Sequence, residues 1–215
     1  MAATSFLPRQ RTIIYIDGFN LYYGALKGTL HKWLNLDRYF ALLRPHDDIK
    51  TIKYFTALVD GPARLRQETY IKALTTLPLG EVILGKFKRK RVHCNESSCG
   101  HVGNRLFETV EEKCTDVNIA VSMLDDAYQN ACDQFVLVSG DSDLVPAVAV
   151  IRVRFPTKRV IVYVPHISVT RGYAVELRSA ATINRDLPLH LLPRAQFPTN
   201  IADGSGGLIT KPPAW

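Results

Sequence analysis

The stretch Phe135-Val136-Leu137-Val138-Ser139-Gly140-Asp141-Ser142-Asp143 decides how this 215-residue chain is read. Four apolar residues, mostly β-branched or aromatic, have the character of a buried strand. They run into Ser-Gly, then into two carboxylates one residue apart, then into an apolar run with helical character. In an open α/β sheet, ligands bind where strands end and helices begin. A Gly at that point lets the backbone turn tightly. Two acidic side chains there repel each other unless a cation lies between them. The stretch therefore predicts a hard-metal site at the carboxyl edge of a sheet.

Working outward, residues 12–16 form a short continuous apolar run, expected as a central strand covered on both faces. It ends at Asp17-Gly18-Phe19-Asn20 and leads into a helix-like segment over 21–26. A helix is expected over 37–43, stopped by Pro45, and a strand over 51–59. After Asp60-Gly61-Pro62, the helix over 63–77 has Tyr70, Ala73, Leu74 and Leu77 as its better apolar face. A strand is expected over 81–87.

The helix starting at Thr115-Asp116 places Val117, Val121, Leu124 and Tyr128 toward the core and Asp125 and Asp126 on its polar flank. Beyond the opening stretch, the spacing predicts a helix over 144–153, with Pro146 tolerated in its first turn. A strand over 159–164, a helix over 168–180 and a short strand over 182–185 follow. After Asp186, five prolines and three glycines read as an irregular tail.

Strands alternating with helices predict a three-layer α/β fold with a mostly parallel central sheet. Right-handed crossovers then bring every strand's carboxyl end to one edge. The expected organisation is an arm over 1–11, a domain over 12–186 with a basic, Cys/His-containing insertion at about 86–107, and a Pro/Gly-rich tail over 187–215.

The chain is 47% hydrophobic and 22% charged, ordinary for a globular protein, with a formal net charge of +7. That excess favours a polyanionic partner, nucleic acid first, over charge carried for solubility alone. Four cysteines are too few for a secreted disulfide scaffold of this length. No apolar run approaches the ~20 residues of a membrane span. Residues 1–7 lack the basic start and apolar stretch of a signal peptide. A cytoplasmic protein is expected.

On the predicted topology four carboxylates converge. Asp17 follows the first strand, Asp141 and Asp143 follow the fourth, and Asp116 lies in the first turn of the helix leading into that strand. Each has a plainer explanation. Asp116 suits any helix N-terminus, Asp141 a turn and Asp143 a cap. Their shared edge is what favours one or two Mg²⁺ or Mn²⁺ ions, which take oxygen ligands. Asn20 could hold a water or phosphate oxygen, or cap the first helix; Ser139 and Ser142 are supporting candidates.

Three motifs also resemble a known family. Ile16-Asp17-Gly18-Phe19-Asn20, Lys113-Cys114-Thr115-Asp116-Val117 and Val138-Ser139-Gly140-Asp141-Ser142-Asp143 look like the acidic motifs of NYN-domain proteins, LabA-like members of the PIN-like nuclease group. The resemblance spans about residues 12–185. It implies a PIN-like, Rossmannoid fold and a metal-dependent nuclease, most often acting on RNA. Asp17, Asp116, Asp141 and Asp143 match the family's metal-binding acids, and Asn20 and Ser139 its accessory polar positions. Cys114 departs from the pattern, where a small residue, often Gly, is expected.

Lys86, Lys88, Arg89, Lys90 and Arg91 flank Phe87 in a strip suited to phosphate contact and base stacking, or to a solvated hairpin edge. Arg64 and Arg66 could extend the same path, though an ordinary helix surface accounts for them as well. His93, Cys94, Cys99 and His101 have zinc-compatible side chains, but at compressed spacing; the alternative is a polar loop with two reduced thiols. Lys113 could steady developing charge, or be an exposed lysine at a helix start. The expected function is a metal-dependent endoribonuclease in which a metal-activated water attacks the phosphodiester. The rivals are a nucleic-acid-binding or scaffolding protein that keeps the fold, and a phosphatase or Toprim-type enzyme. Asp17 after the first strand disfavours the last two, and exposed helices could build a homodimer.

Overall fold

β1 (Arg11–Asp17) is covered on both faces, with every residue from Thr12 to Asp17 buried. The computed structural model describes residues 9–96, 98–166 and 174–215. After β1 come α1 (Gly18–Leu21), continued by a π-helical turn (Tyr22–Leu26), then α2 (Leu36–Leu43), β2 (Asp48–Thr56), α3 (Arg64–Leu74) and β3 (Gly80–Leu84). A hairpin of β4 (Lys86–His93) and β5 (Leu106–Lys113) precedes α4 (Thr115–Tyr128) and β6 (Gln134–Val138). A 3-10 turn (Ser142–Leu144) leads into α5 (Val145–Arg154), β7 (Arg159–Val164), α6 (Val175–Ala180) and β8 (Ile183–Asp186). The chain continues through a 3-10 segment (Leu189–Ala195) to a small hairpin, β9 (Asn200–Ala202) and β10 (Leu208–Thr210).

Among the described residues the main sheet has six strands in the order β3-β2-β1-β6-β7-β8, every neighbouring pair parallel. The chain builds outward in both directions from β1 and β6, so the order reverses between these two strands. At such a switch point the flanking loops splay apart and leave a crevice. Alternation along the strands divides the core. Ile14, Ile16, Ile52, Tyr54, Val136 and Val138 pack under α1, α2 and α3. Ile13, Tyr15, Phe55, Phe135 and Leu137 pack under α4, α5 and α6. This is the expected three-layer architecture.

Four details differ from the sequence reading. The strand expected over 81–87 ends at Leu84, and the chain leaves the sheet at Gly85. A Cβ at Gly85 would lie 2.7 Å from Thr115 Oγ1 and 2.8 Å from the Lys113 carbonyl oxygen, so only glycine fits where β4 departs beside the start of α4. The basic insertion is the β4-β5 hairpin and reaches Lys113.

The buried face of α4 is Ile119, Met123 and Ala127, while Val117, Val121 and Tyr128 are exposed. Asp126 decides this rotation. It is buried, forms an ion pair with Lys53 at 2.7 Å and accepts a hydrogen bond from the Tyr15 hydroxyl at 2.6 Å.

The segment after Asp186 is not irregular. Leu187, Leu191, Leu192, Ala195, Phe197 and Ile209 are buried in the first core, and the Trp33 indole donates to the Pro198 carbonyl. Its prolines lie outside the strands, Pro193 in the 3-10 segment and Pro188 in extended backbone, where no sheet hydrogen bond is needed. Of the helix expected over 168–180, residues 168–173 lie outside the described residues, as do residues 1–8 of the expected arm.

Candidate functional site

The carboxyl ends of β1 and β6 lie side by side, with Ile16 paired to Val138. Asp17, the last residue of β1, is therefore beside the Ser139-Gly140-Asp141 loop. Gly18 turns the chain away at once. A Cβ there would lie 2.7 Å from the Tyr54 ring and 2.8 Å from the Phe55 carbonyl oxygen, so the Asp-Gly pair is required by close packing.

Asp17 is 3% exposed, and its carboxylate is held by its neighbours. It accepts hydrogen bonds from Asn20 N at 2.9 Å, Asn20 Nδ2 at 2.5 Å and Ser139 Oγ at 3.1 Å. The other end of the Asn20 amide accepts from Gly140 N at 3.0 Å. Both ends of Asn20 thus work inside the site, and it positions Asp17 and the β6 loop. Ser139 Oγ also accepts from Asp141 N at 3.0 Å, and Asp141 Oδ1 accepts from Asp143 N at 2.9 Å. Asp141 is therefore the cap of the 3-10 turn, with Asp143 exposed on it.

Burial pushes the Asp17 carboxyl up, and the nearby Asp141 adds to this against the lowering effect of its hydrogen bonds. Asp116 is pushed up to about 6, by burial first and then by Asp17, Asp141 and Asp143. Asp116 thus lies within electrostatic reach of Asp17, Asp141 and Asp143.

A fifth acid was missed. Burial raises the Glu112 pKa, and Asp17, Asp116 and Asp141 raise it further. Glu112 Oε1 and Thr115 Oγ1 are buried without a hydrogen-bond partner among the described residues. The Thr115 hydroxyl lies close enough to favour ionised Glu112 without closing a hydrogen bond to it. In sequence Glu112 is one acid among several in a charged hairpin; only the pairing of Phe87 with Glu112 brings it here.

None of the five carboxylates has an ion-pair partner among the described residues. Their all-oxygen donor set and uncompensated charge fit a hard divalent cation. As placed, no group of three or more His, Cys, Asp or Glu side chains among the described residues is gathered closely enough to hold a metal ion.

Cys114 occupies the left-handed region, with φ of 77°, immediately before α4. The backbone conformation that favours glycine is retained without glycine, so the departure at 114 does not displace Asp116 from the first turn of the helix.

The hairpin register sorts the basic strip onto two faces, because directly opposed residues in an antiparallel pair share a face. Lys86, Lys88, Lys90 and Lys113 lie on one, and Phe87, Arg89 and Arg91 lie with Glu112 on the other. Phe87 packs edge-on against Phe19 with ring centroids 5.8 Å apart, which anchors the Arg face beside the carboxylates. Acids of β5 and of the loop after β2 offset part of this charge. Arg91 approaches Glu108 at 3.5 Å, Lys90 approaches Glu111 at 3.9 Å, and Arg89 approaches Asp60 at 3.8 Å. The Lys113 ammonium pairs with Glu111 at 2.7 Å, so Lys113 is the exposed lysine at a helix start and does not point to the acids.

The zinc-compatible residues are not gathered. His93 contacts Asn95, the His101 ring packs on Phe107, and Cys94 and Cys99 are free thiols.

A family model described as NYN domain matches residues 11–186. The chain is 34% identical over 173 residues to 6-hydroxy-3-succinoylpyridine 3-monooxygenase HspA of Pseudomonas putida (strain DSM 28022 / S16), an alignment covering 66% of this chain and 55% of that protein. The chain thus spans about half the length of the curated relative it matches. The crystal structure of a protein of unknown function, VPA0982 from Vibrio parahaemolyticus RIMD 2210633, superposes with a TM-score of 0.55 at 20% identity, covering 87% of this chain and 96% of that one. That likeness is one of fold.

Proposed function

The chain belongs to the NYN domain family, and from that premise we propose that it is a divalent-metal-dependent nuclease, an endoribonuclease that hydrolyses phosphodiester bonds. The family implies nuclease-type hydrolase chemistry. One observation supports the finer reading: Asp17, Asp141 and Asp143 raise the Asp116 carboxyl and Asp17, Asp116 and Asp141 raise Glu112, and none of these acids has an ion-pair partner among the described residues. A protein does not hold such a cluster cheaply, and a hard metal ion is what relieves it.

Asp17, Asp116, Asp141 and Asp143 would hold Mg²⁺ or Mn²⁺, with Glu112 beside them. When bound, the metal would lower the pKa of a water and offset the charge developing on the phosphate. The residues themselves supply orientation. Asn20 and Ser139 fix the Asp17 carboxylate, and the 3-10 turn fixes Asp141. Glu112, with its pKa raised, could accept a proton from the attacking water. The exposed Lys and Arg faces of the hairpin would contact the phosphates of an RNA strand. No helix of the described residues is long and apolar enough to cross a membrane, and a cytoplasmic site of action is part of this reading. So is a homodimer built on the exposed α4 residues Val117, Val121 and Tyr128, which light scattering would test.

The direct test is incubation with labelled single-stranded and structured RNA in Mn²⁺, Mg²⁺ or EDTA, beside an Asp141→Asn variant. The expected result is metal-dependent cleavage that the variant loses. Undiminished cleavage by the variant would sink the mechanism, and no cleavage of any nucleic acid would move the weight to a binding or scaffolding protein. A second reading, chemistry on a nitrogen heteroaromatic ring, has one observation in its favour: an aromatic-walled cavity opens beside Gly18, in a chain similar to a protein named as a pyridine monooxygenase.

A further inference from the structure

That cavity, about 150 Å³, lies between the α1 turn, β2 and α3. Phe19, Tyr22, Tyr54 and Trp215 contribute to its walls, and Arg66 and Lys32 line it as well. Its link to the carboxylates is short. Phe19 is two residues from Asp17, and the Tyr54 hydroxyl is close enough to Asp17 to feel its charge.

Three properties define what would fit. The walls are largely aromatic and offer flat faces for stacking. Tyr54 is 8% exposed, and its hydroxyl lies against Gly18 with no hydrogen-bond partner among the described residues. The hydroxyl is not fully buried, so a ligand atom in the cavity could reach it. Burial and Asp17 both hold the Tyr54 proton on, making the group a hydrogen-bond donor. Finally, Arg66 and Lys32 have no carboxylate partner among the described residues. Two uncommitted cations at an aromatic pocket suit a ring attached to an anion.

We propose that this cavity seats a flat nitrogen-heteroaromatic ring carrying an anionic group, namely a nucleobase of the bound strand with its phosphate on Arg66 and Lys32. The Tyr54 hydroxyl would donate to a ring nitrogen or exocyclic oxygen. Stacking on Phe19 or Tyr22 would hold the base, as aromatic platforms do for single strands. Because the cavity opens beside Asp17, the seated base would set which phosphodiester lies over the acids. This rests on the nuclease reading as to the source of the ring. The ring site itself can be measured without cleavage.

The test is calorimetric titration of the whole chain in EDTA, where no metal-dependent reaction runs. The probes are adenosine 5′-monophosphate, ribose 5-phosphate and nicotinate. The expected result is that the nucleotide binds saturably and ribose 5-phosphate does not. Arg66→Ala is expected to weaken nucleotide binding by about tenfold, and Tyr54→Phe by a few-fold at unchanged fold. Far-ultraviolet circular dichroism of both variants controls for misfolding, and Arg66→Ala is a surface change that keeps the test valid if Tyr54→Phe is unstable. Equal binding of ribose 5-phosphate would reduce the site to an anion contact and overturn the proposal. So would nucleotide affinity indifferent to both variants. Preference for nicotinate over the nucleotide would also overturn it, by assigning the ring to a free small molecule. Nucleotide binding of the expected pattern in a protein that cuts no RNA would uphold the pocket while the catalytic reading failed.

Discussion

Asn20 accepts a hydrogen bond from Gly140 N at 3.0 Å while donating to Asp17 at 2.5 Å, so one amide holds the end of β1 against the loop after β6. Asn20→Ala would leave the buried Asp17 short of a donor and the Gly140 N–H without its acceptor. A loss of about 1–3 kcal/mol of stability is expected. Cleavage should fall by at least about tenfold, since the Asp17 carboxylate would no longer be fixed. Urea unfolding and initial rates measure the two effects, and a variant that retains both would remove Asn20 from the site's framework.

Metal should stabilise the folded chain. Mn²⁺ at a hundred times its dissociation constant contributes about 2.7 kcal/mol, and EDTA should reverse the gain. In EDTA, Asp141→Asn should unfold at or above the wild-type temperature, because it removes one of several mutually repelling charges. It should also lose most of the metal-dependent shift. Calorimetric scans with and without Mn²⁺ read both predictions.

With metal chelated, stability should fall as pH rises from about 4 to about 6. The Asp116 carboxyl is pushed up from its ordinary 3.8 to about 6 in the folded chain, by burial first. Between these values the folded state holds a proton that the unfolded chain has released, so rising pH favours unfolding. Above that window the penalty is constant, and below it the penalty vanishes. Asp17 and Glu112 are raised too and act with the same sign. Asp116→Asn should flatten the profile. Urea midpoints against pH in EDTA decide it, and an identical slope in the variant would count against the assignment.

Asp126 is the buried end of a network with Lys53 and Tyr15. Asp126→Ala strands the Lys53 ammonium and the Tyr15 hydroxyl, and a loss of about 3–5 kcal/mol is expected for removing one partner of a buried pair. The site's acids are untouched, so catalysis per folded molecule should persist. Denaturant unfolding beside an active-fraction assay separates the effects.

Cys114, at φ of 77°, tests the backbone before Asp116. Left-handed backbone costs a non-glycine residue about 1–2 kcal/mol. Glycine would remove that cost and lose roughly 0.5–1 kcal/mol to its greater freedom when unfolded. Cys114→Gly should therefore be neutral or stabilising by up to about 1.5 kcal/mol, whereas Cys114→Val should be clearly destabilising. Melting temperatures of the pair check the order.

The sequence by itself determined the strand-helix alternation, the two central strands and the acids that follow them. These features are local: an apolar run followed by Asp-Gly or Gly-Asp states its own conformation, and parallel topology then fixes the edge on which it ends. Tertiary structure alone decided what depends on register and rotation. The face of α4 could not be read from apolar spacing, because the Lys53-Asp126-Tyr15 network outweighs an exposed Val117 and Val121. Glu112 is brought to the acids by its pairing with Phe87, a relationship set by a hairpin that leaves the sheet at Gly85. The basic strip was legible as charge, but its division into a Lys face and an Arg face follows from strand pleating. The opening stretch 135–143 thus marked a candidate site, while packing decided which residues lie around it.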